Sequence, residues 1–473
     1  MLFNSFGFVL FFLCIYVLYW FITSKKLHTQ NLLLLFSGYY FYSCWDWRFV
    51  FLLMLSTIID FSFGLLIYNA RRRRKFLLWL SISNNLIILG FFKYYNFFIT
   101  NIKSVLLFAG FHINPWLIDI ILPVGISFYT FHGMSYVFDI YNQKTKPTKN
   151  FVEYAVFVCF FPLLVAGPIE RATHLLPQIQ TKRKFSYQQS LEGLRLILWG
   201  YFLKVVIADQ LSVLVTDIFK NYKIYSGSTL LLGAVYFSIQ IYGDFCGYTN
   251  IAIGVAKLLG FELLSNFKYP YFSRNIAEFW RRWHISLSSW FRDYLYIPLG
   301  GTRVSPIKAI RNIFIIFIIS GFWHGANWTY IVWGGIHAML FLPLLLTNRH
   351  RTYVSEIVAN NRKLPTLKEL LQIVVTFLLV TLAWIFFRAP NIAMAIDYIY
   401  HMLTTLFEPV VSHRLGLVFV IFPLAIDWYQ RRSERNVLCF KNTIFRWCMY
   451  LFLGIGVLIY SDFSTAPFIY FQF

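Results

Sequence analysis

The stretch Ile313-Phe314-Ile315-Ile316-Phe317-Ile318-Ile319-Ser320-Gly321-Phe322-Trp323-His324-Gly325-Ala326-Asn327-Trp328 places a histidine at the end of an almost unbroken apolar run. A run of this kind belongs in a bilayer, where about 20 apolar residues span the hydrocarbon. An ionisable side chain there is expensive and marks a functional position. Gly321, Gly325 and Ala326 let another chain or a substrate approach the imidazole, and Trp323 and Trp328 can wall a pocket. Asn327 adds hydrogen-bonding capacity. A neutral buried imidazole can take a proton from a hydroxyl nucleophile, which makes His324 a candidate general base.

The rest of the chain has the same character. Of its 473 residues 58% are hydrophobic, 21% aromatic and only 13% charged. Soluble domains carry about 25% charged residues, so this composition excludes a soluble fold and implies a multi-pass membrane protein. Apolar segments at about 6–23, 30–44, 48–69, 76–93, 118–139, 151–166, 191–218, 229–260, 310–345, 368–388, 412–429 and 444–461 are candidate crossings. The expected fold is all-α, with about 10–12 membrane helices plus interfacial or re-entrant helices around a central tunnel. We expect one membrane domain over residues 1–473, with a motif-bearing core at about 120–390. The first run, closed by Lys25 and Lys26, reads as a retained span and not as a cleaved signal.

Lys and Arg outnumber Asp and Glu by 42 to 20. In a membrane protein this excess holds cytoplasmic loops against anionic headgroups and does not indicate nucleic-acid binding. Arg71-Arg72-Arg73-Arg74-Lys75 is the strongest orientation signal and is expected in the cytoplasm, as are Lys182 to Lys184, the cluster Arg349 to Lys363, and Arg431 to Arg435. The six cysteines show no ligand spacing, so neither a metal site nor a disulfide framework is expected. Phe161-Pro162, Gly167-Pro168, and Gly243, Gly247 and Gly254 break or loosen helices. Irregular backbone at membrane depth is tolerated only inside protein or along a cavity, which points to an internal chamber.

From Phe279 to Tyr296 a helical wheel gathers Phe279, Trp283, Leu287, Trp290 and Tyr294 on one side and Arg281, Ser288 and Arg292 opposite. That pattern predicts an amphipathic helix lying at the membrane interface, with His284 at the edge of its aromatic stripe. Asp244 is a second charge within an apolar run. It can orient a histidine, bind a polar substrate or pair with a nearby cation, and the sequence leaves these open. Lys204 and Asp209 read as a structural polar network, and His337 as a structural histidine. Nucleotide-binding and common hydrolase motifs are absent. A transporter or flippase for a polysaccharide precursor is the rival class. It would need repeat symmetry and coupling carboxylates at membrane depth, and acidic residues here are few and scattered.

Glu278-Phe279-Trp280-Arg281-Arg282-Trp283-His284-Ile285-Ser286-Leu287-Ser288, then Arg292-Asp293-Tyr294 and Ile297-Pro298-Leu299-Gly300-Gly301, resemble the signature of the membrane-bound O-acyltransferases. Gly321-Phe322-Trp323-His324-Gly325-Ala326 is similar to the second motif of that family. The likeness extends through Leu122 to Thr130, Gly167-Pro168-Ile169, Phe91 to Tyr95 and Trp384 to Ala389, and is nearest the alginate and peptidoglycan O-acetylating branch. Cys246, Asn250 and His132 depart from its pattern.

The resemblance implies a tunnel that brings an acyl donor from the cytoplasm to a catalytic His324, with His284 as a second polar group. The donor would be acetyl-CoA or an acyl-carrier thioester, with no tightly bound cofactor. Trp280, Arg281, Arg282 and Arg292 would attract it, while Trp323 and Asn327 would stabilise a developing oxyanion and Asp244 would help bind substrate. The implied acceptor is an exported cell-envelope polysaccharide, reached through a periplasmic partner of Ser-hydrolase type from the bacterial inner membrane. D-alanyl transfer to a teichoic-acid-type polymer is the alternative. The aromatic end Ala466-Pro467-Phe468-Ile469-Tyr470-Phe471-Gln472-Phe473 resembles the tail of the small partner peptide in teichoic-acid D-alanylation. Tyr470 is therefore a candidate acyl carrier.

Overall fold

The computed structural model describes residues 1–112, 117–165, 167–354, 356–410, 412–433 and 435–461, and among these every regular element is helical. The tail that carries Tyr470 lies outside the described residues. Among the described residues, seven helices are long and apolar enough to cross a membrane: Arg48–Asn69, Arg74–Phe108, Gly227–Leu258, Pro306–His324, Trp328–Leu346, Leu367–Arg388 and Thr443–Tyr460. Phe6–Ile22 is a shorter apolar helix.

The other expected crossings are shorter or interrupted. Residues 151–164 split into Phe151–Cys159 and Phe161–Leu164, with Pro162 in the first turn of the second helix, where its missing N–H costs nothing. The segment 187–220 runs through a widened π-turn, Phe202–Ala208, whose residues are all buried. The run at 310–345, expected as one crossing, is two helices, because Gly325 is extended and Asn327 caps a new helix.

The chain forms two compact units, residues 1–186 with 256–263, and residues 187–255 with 264 onward. The first is built inside out relative to a soluble fold. Along Arg48–Asn69, Phe51, Leu55, Ile58 and Leu66 face outward while Ser56, Thr57 and Asp60 are buried. A carboxyl in that position needs internal partners, and Asn85 and Ser81 donate hydrogen bonds to Asp60 at 2.7 and 3.3 Å.

The second unit holds both motif segments. Its centre is the hairpin of Pro306–His324 and Trp328–Leu346, whose backbones touch. A Cβ on Gly321 would collide with the carbonyl oxygen of Tyr330, and one on Gly334 with that of Phe317. In lipid there is little hydrophobic drive to bring helices together, so small residues at the contact decide the packing.

Gly334→Ala is therefore expected to destabilise the detergent-solubilised protein by about 1–3 kcal/mol, the usual cost of overpacking. Gly335→Ala is the control: a Cβ there meets nothing within 4 Å, and added helix propensity makes it neutral or stabilising. Thermal unfolding of the two variants side by side checks this, and equal stability would contradict the close contact.

Candidate functional site

His324 ends the Pro306–His324 helix, is 3% exposed, and lies beside the other motif histidine. The imidazole centroids of His324 and His284 are 6.4 Å apart. Trp323 faces both, at 5.0 Å from His324 and 6.0 Å from His284. Trp333 and Phe387 present themselves edge-on to His324 at 5.2 and 5.3 Å. Phe245 packs edge-on against His284 at 4.6 Å. The two imidazoles thus share a belt of rings contributed by four spanning helices.

The segment expected as a continuous interfacial helix is a broken, buried one. It consists of Ile276–Arg282, a break at Trp283 and His284, then Ile285–Phe291 and a π-turn to Tyr296. His284 adopts φ +43°, a left-handed conformation uncommon outside glycine. Two neighbouring rings, Trp283 and His284, are each 0% exposed, and the break lets both turn inward. Hydrogen bonds between backbones hold it, Ile285 N–H to the Asn266 carbonyl at 2.9 Å and Lys268 N–H to the Arg282 carbonyl at 3.0 Å. Ser286 adds a bond to the Asn266 side chain at 2.6 Å. Burial pushes the His284 imidazole down to about 3, so the ring is neutral.

The remaining predicted residues do not all reach this centre. Arg281 donates to the carbonyls of His350 and Thr352 at 2.9 and 2.7 Å. Arg282 pairs with Glu278 at 2.7 Å and donates to the Glu356 carbonyl. Both arginines therefore tie the broken helix to the loop after Leu346. Arg292 is exposed beside Asp293. The side chain of Asn327 accepts from the Thr329 N–H and donates to the Pro390 carbonyl, which occupies it with capping. Trp280 lies one layer away, where its indole donates to His337 Nδ1 at 3.3 Å. His337 contacts Trp333 at 4.9 Å, so one tryptophan touches both His324 and His337.

Asp244 pairs with Lys204 at 2.7 Å, and Asp209 meets the same ammonium at 2.8 Å. The cluster clamps Gly227–Leu258 to the π-turn, one residue from the Phe245 that abuts His284. Trp333, Trp384, Phe387 and Phe245 were not singled out by sequence reasoning. In a chain with 21% aromatic residues, the hints were the family-like stretch Trp384 to Ala389, which holds Trp384 and Phe387, and the place of Phe245 next to Asp244.

The family model of membrane-bound O-acyltransferases matches residues 35–355. The chain is 38% identical over 399 residues to the probable alginate O-acetylase AlgI of Pseudomonas aeruginosa, covering 84% of this chain and 73% of that one. It is 34% identical over 427 residues to the peptidoglycan O-acetyltransferase of Helicobacter pylori, covering 84% and 78%. It is also 32% identical over 235 residues to the teichoic acid D-alanyltransferase of Bacillus subtilis, covering 47% and 58%.

The ion cluster yields a sharp stability prediction. Lys204→Met leaves the buried Asp244 and the part-buried Asp209 without their cation and should cost about 3–5 kcal/mol, or prevent folding. Asp209→Asn, at a side chain that is 20% exposed, should cost clearly less. Thermal unfolding in detergent ranks the two, and the reverse order would exclude Lys204 as the shared partner.

Proposed function

The chain belongs to the membrane-bound O-acyltransferase family and is a multi-pass bacterial membrane O-acyltransferase, and from that premise we propose that it O-acetylates an exported cell-envelope polysaccharide. The observation that carries the proposal is the buried pair His324 and His284 within one aromatic belt. Acetyl transfer is favoured over D-alanyl transfer because the O-acetylating relatives align over 84% of the chain and the D-alanyltransferase over 47%.

In this reading the donor is a cytoplasmic thioester, acetyl-CoA or an acyl carrier, and the protein resides in the inner membrane with Arg71 to Lys75 in the cytoplasm. His324 takes the proton of a hydroxyl nucleophile as its oxygen attacks the thioester carbonyl carbon. The tetrahedral intermediate then expels the thiolate, which recovers the proton, leaving an O-acyl ester and a free thiol. His284, neutral and 6.4 Å away by ring centroid, orients donor or acceptor. With Asn327 engaged at its helix cap, the developing oxyanion falls to the Trp323 indole. The low-dielectric belt strengthens each of these interactions.

His324→Ala should reduce polymer acetylation by at least about 10²–10⁴-fold, the worth of a general base, with normal membrane insertion. His284→Ala should show a smaller loss. Radiolabelled acetate incorporated into surface polymer measures both, and near-normal labelling by a folded His324→Ala protein would remove it from the mechanism.

The first nucleophile is proposed to be the Tyr470 phenol, which passes the acyl group to a serine of a periplasmic partner. A phenol of pKa near 10 ionises more readily than an alcohol, and its aryl ester keeps transfer potential. Tyr470→Phe should then stop polymer acetylation, while Phe471→Leu should be milder. Wild-type labelling by Tyr470→Phe would leave direct transfer from donor to partner or polymer.

A further inference from the structure

The second unit carries two adjoining hollows of opposite character. One is an apolar groove of about 370 Å³ between Leu340 and Leu344 on one helix and Leu371, Val375 and Leu379 on the next. Leu371 and Val375 are more than half exposed and belong to a spanning helix, so the groove opens where hydrocarbon would lie. From Leu371 to Leu379 it runs about 12 Å at 1.5 Å per residue, against roughly 15 Å for one leaflet's share of a 30 Å core. The other hollow is a polar cleft of about 550 Å³ lined by Glu356, Asn360, Asn361, Arg362 and Glu369. Arg274 lines both.

The charges in the cleft are specific. Arg274 is buried, bonded to Glu278 at 3.1 Å, and 3.5 and 3.6 Å from Glu356 and Glu369. Its guanidinium lies 3.6 Å above the Tyr353 ring. The side chain of Glu356 is 64% exposed and so has capacity for a second cation. Arg362 has no carboxylate partner among the described residues and stands beside two asparagine amides. The cleft therefore offers an anion acceptor and a cation acceptor together. Glu369 is engaged by the Thr366 cap and lies beside Arg274, so a purely anionic headgroup would face the open Glu356 carboxylate.

We propose that the cleft and groove bind one zwitterionic, ammonium-bearing phospholipid. The phosphate sits with Arg362, Asn360 and Asn361, the ammonium with Glu356, and one acyl chain lies along Leu371, Val375 and Leu379. This charge complementarity selects the headgroup, and the apolar groove selects a lipid over a free phosphodiester. Arg274 also opens the segment that leads through the Asn275 cap to His284, so the bound lipid braces the base of the broken helix.

The test uses the full chain in nanodiscs of equimolar phosphatidylethanolamine and phosphatidylglycerol, with native mass spectrometry of the lipid retained after release into detergent. Phosphatidylethanolamine should be retained about three- to ten-fold over phosphatidylglycerol, the discrimination expected of one or two partly exposed charge pairs. Glu356→Lys should abolish or invert that preference, and Val375→Trp should empty the groove of either lipid. Arg362→Glu, at an exposed side chain, should lower retention of both lipids, since both carry the phosphate it contacts, and this reads the site should Glu356→Lys fail to fold. Equal retention of both lipids by the wild-type chain would overturn the proposal. So would an unchanged preference in a folded Glu356→Lys protein, or unchanged lipid retention in a folded Arg362→Glu protein.

Discussion

Backbone against backbone at Gly321 and Gly334 is the contact on which the candidate site depends. It brings the end of Pro306–His324 against the start of Trp328–Leu346 with no side chain between them, so His324 and Trp333 meet at 5.2 Å. Helices in a bilayer gain little from burying more hydrocarbon, and their association rests on close van der Waals fit. Once these two helices touch, the third wall follows: Trp384 stacks on Trp333 at 5.4 Å and Phe387 closes on His324. The His324 imidazole is thus held by shape, within a belt of aromatic rings.

The second constraint is the cost of polar groups at membrane depth. Each charge buried in the second unit is answered locally. Lys204 satisfies two carboxylates, Arg274 and Arg282 share Glu278, and the Tyr242 hydroxyl donates to Asp427 at 2.7 Å. Pairing of this kind contributes little net stability but is costly to break, which makes it a positioning device. Asp244 anchors the helix that presents Phe245 to His284, and the Arg274–Glu278–Arg282 ladder fixes the base of the helix that delivers His284. The left-handed backbone at His284 is a strain of the sort found where function demands an orientation that regular structure cannot supply.

The proposed chemistry follows from this enclosure. A neutral imidazole in a low-dielectric belt is suited to receive a proton from an attacking hydroxyl, and the thioester donor brings its own leaving group. Arg281 and Arg282 near the motif donate to main-chain carbonyls of the loop after Leu346.

Composition by itself determined that this is an all-helical membrane protein, because so many apolar side chains and so few charges have no other stable solvent. The motif segments by themselves pointed to the family and marked two histidines, His324 as an ionisable group beside small residues in an apolar run and His284 at the edge of an aromatic stripe. Periodicity misread Phe279–Tyr296 as one interfacial helix. A wheel assumes unbroken backbone, and nothing local announces that two successive rings will both turn inward. It likewise merged Pro306–His324 with Trp328–Leu346, because three residues of break leave hydropathy almost unchanged. Only the tertiary structure decided which aromatic rings form the belt and that Lys204 binds two aspartates. It also decided that Asn327 is spent on a helix cap. Those are contacts between segments far apart in the chain, and spacing along one helix carries no record of them.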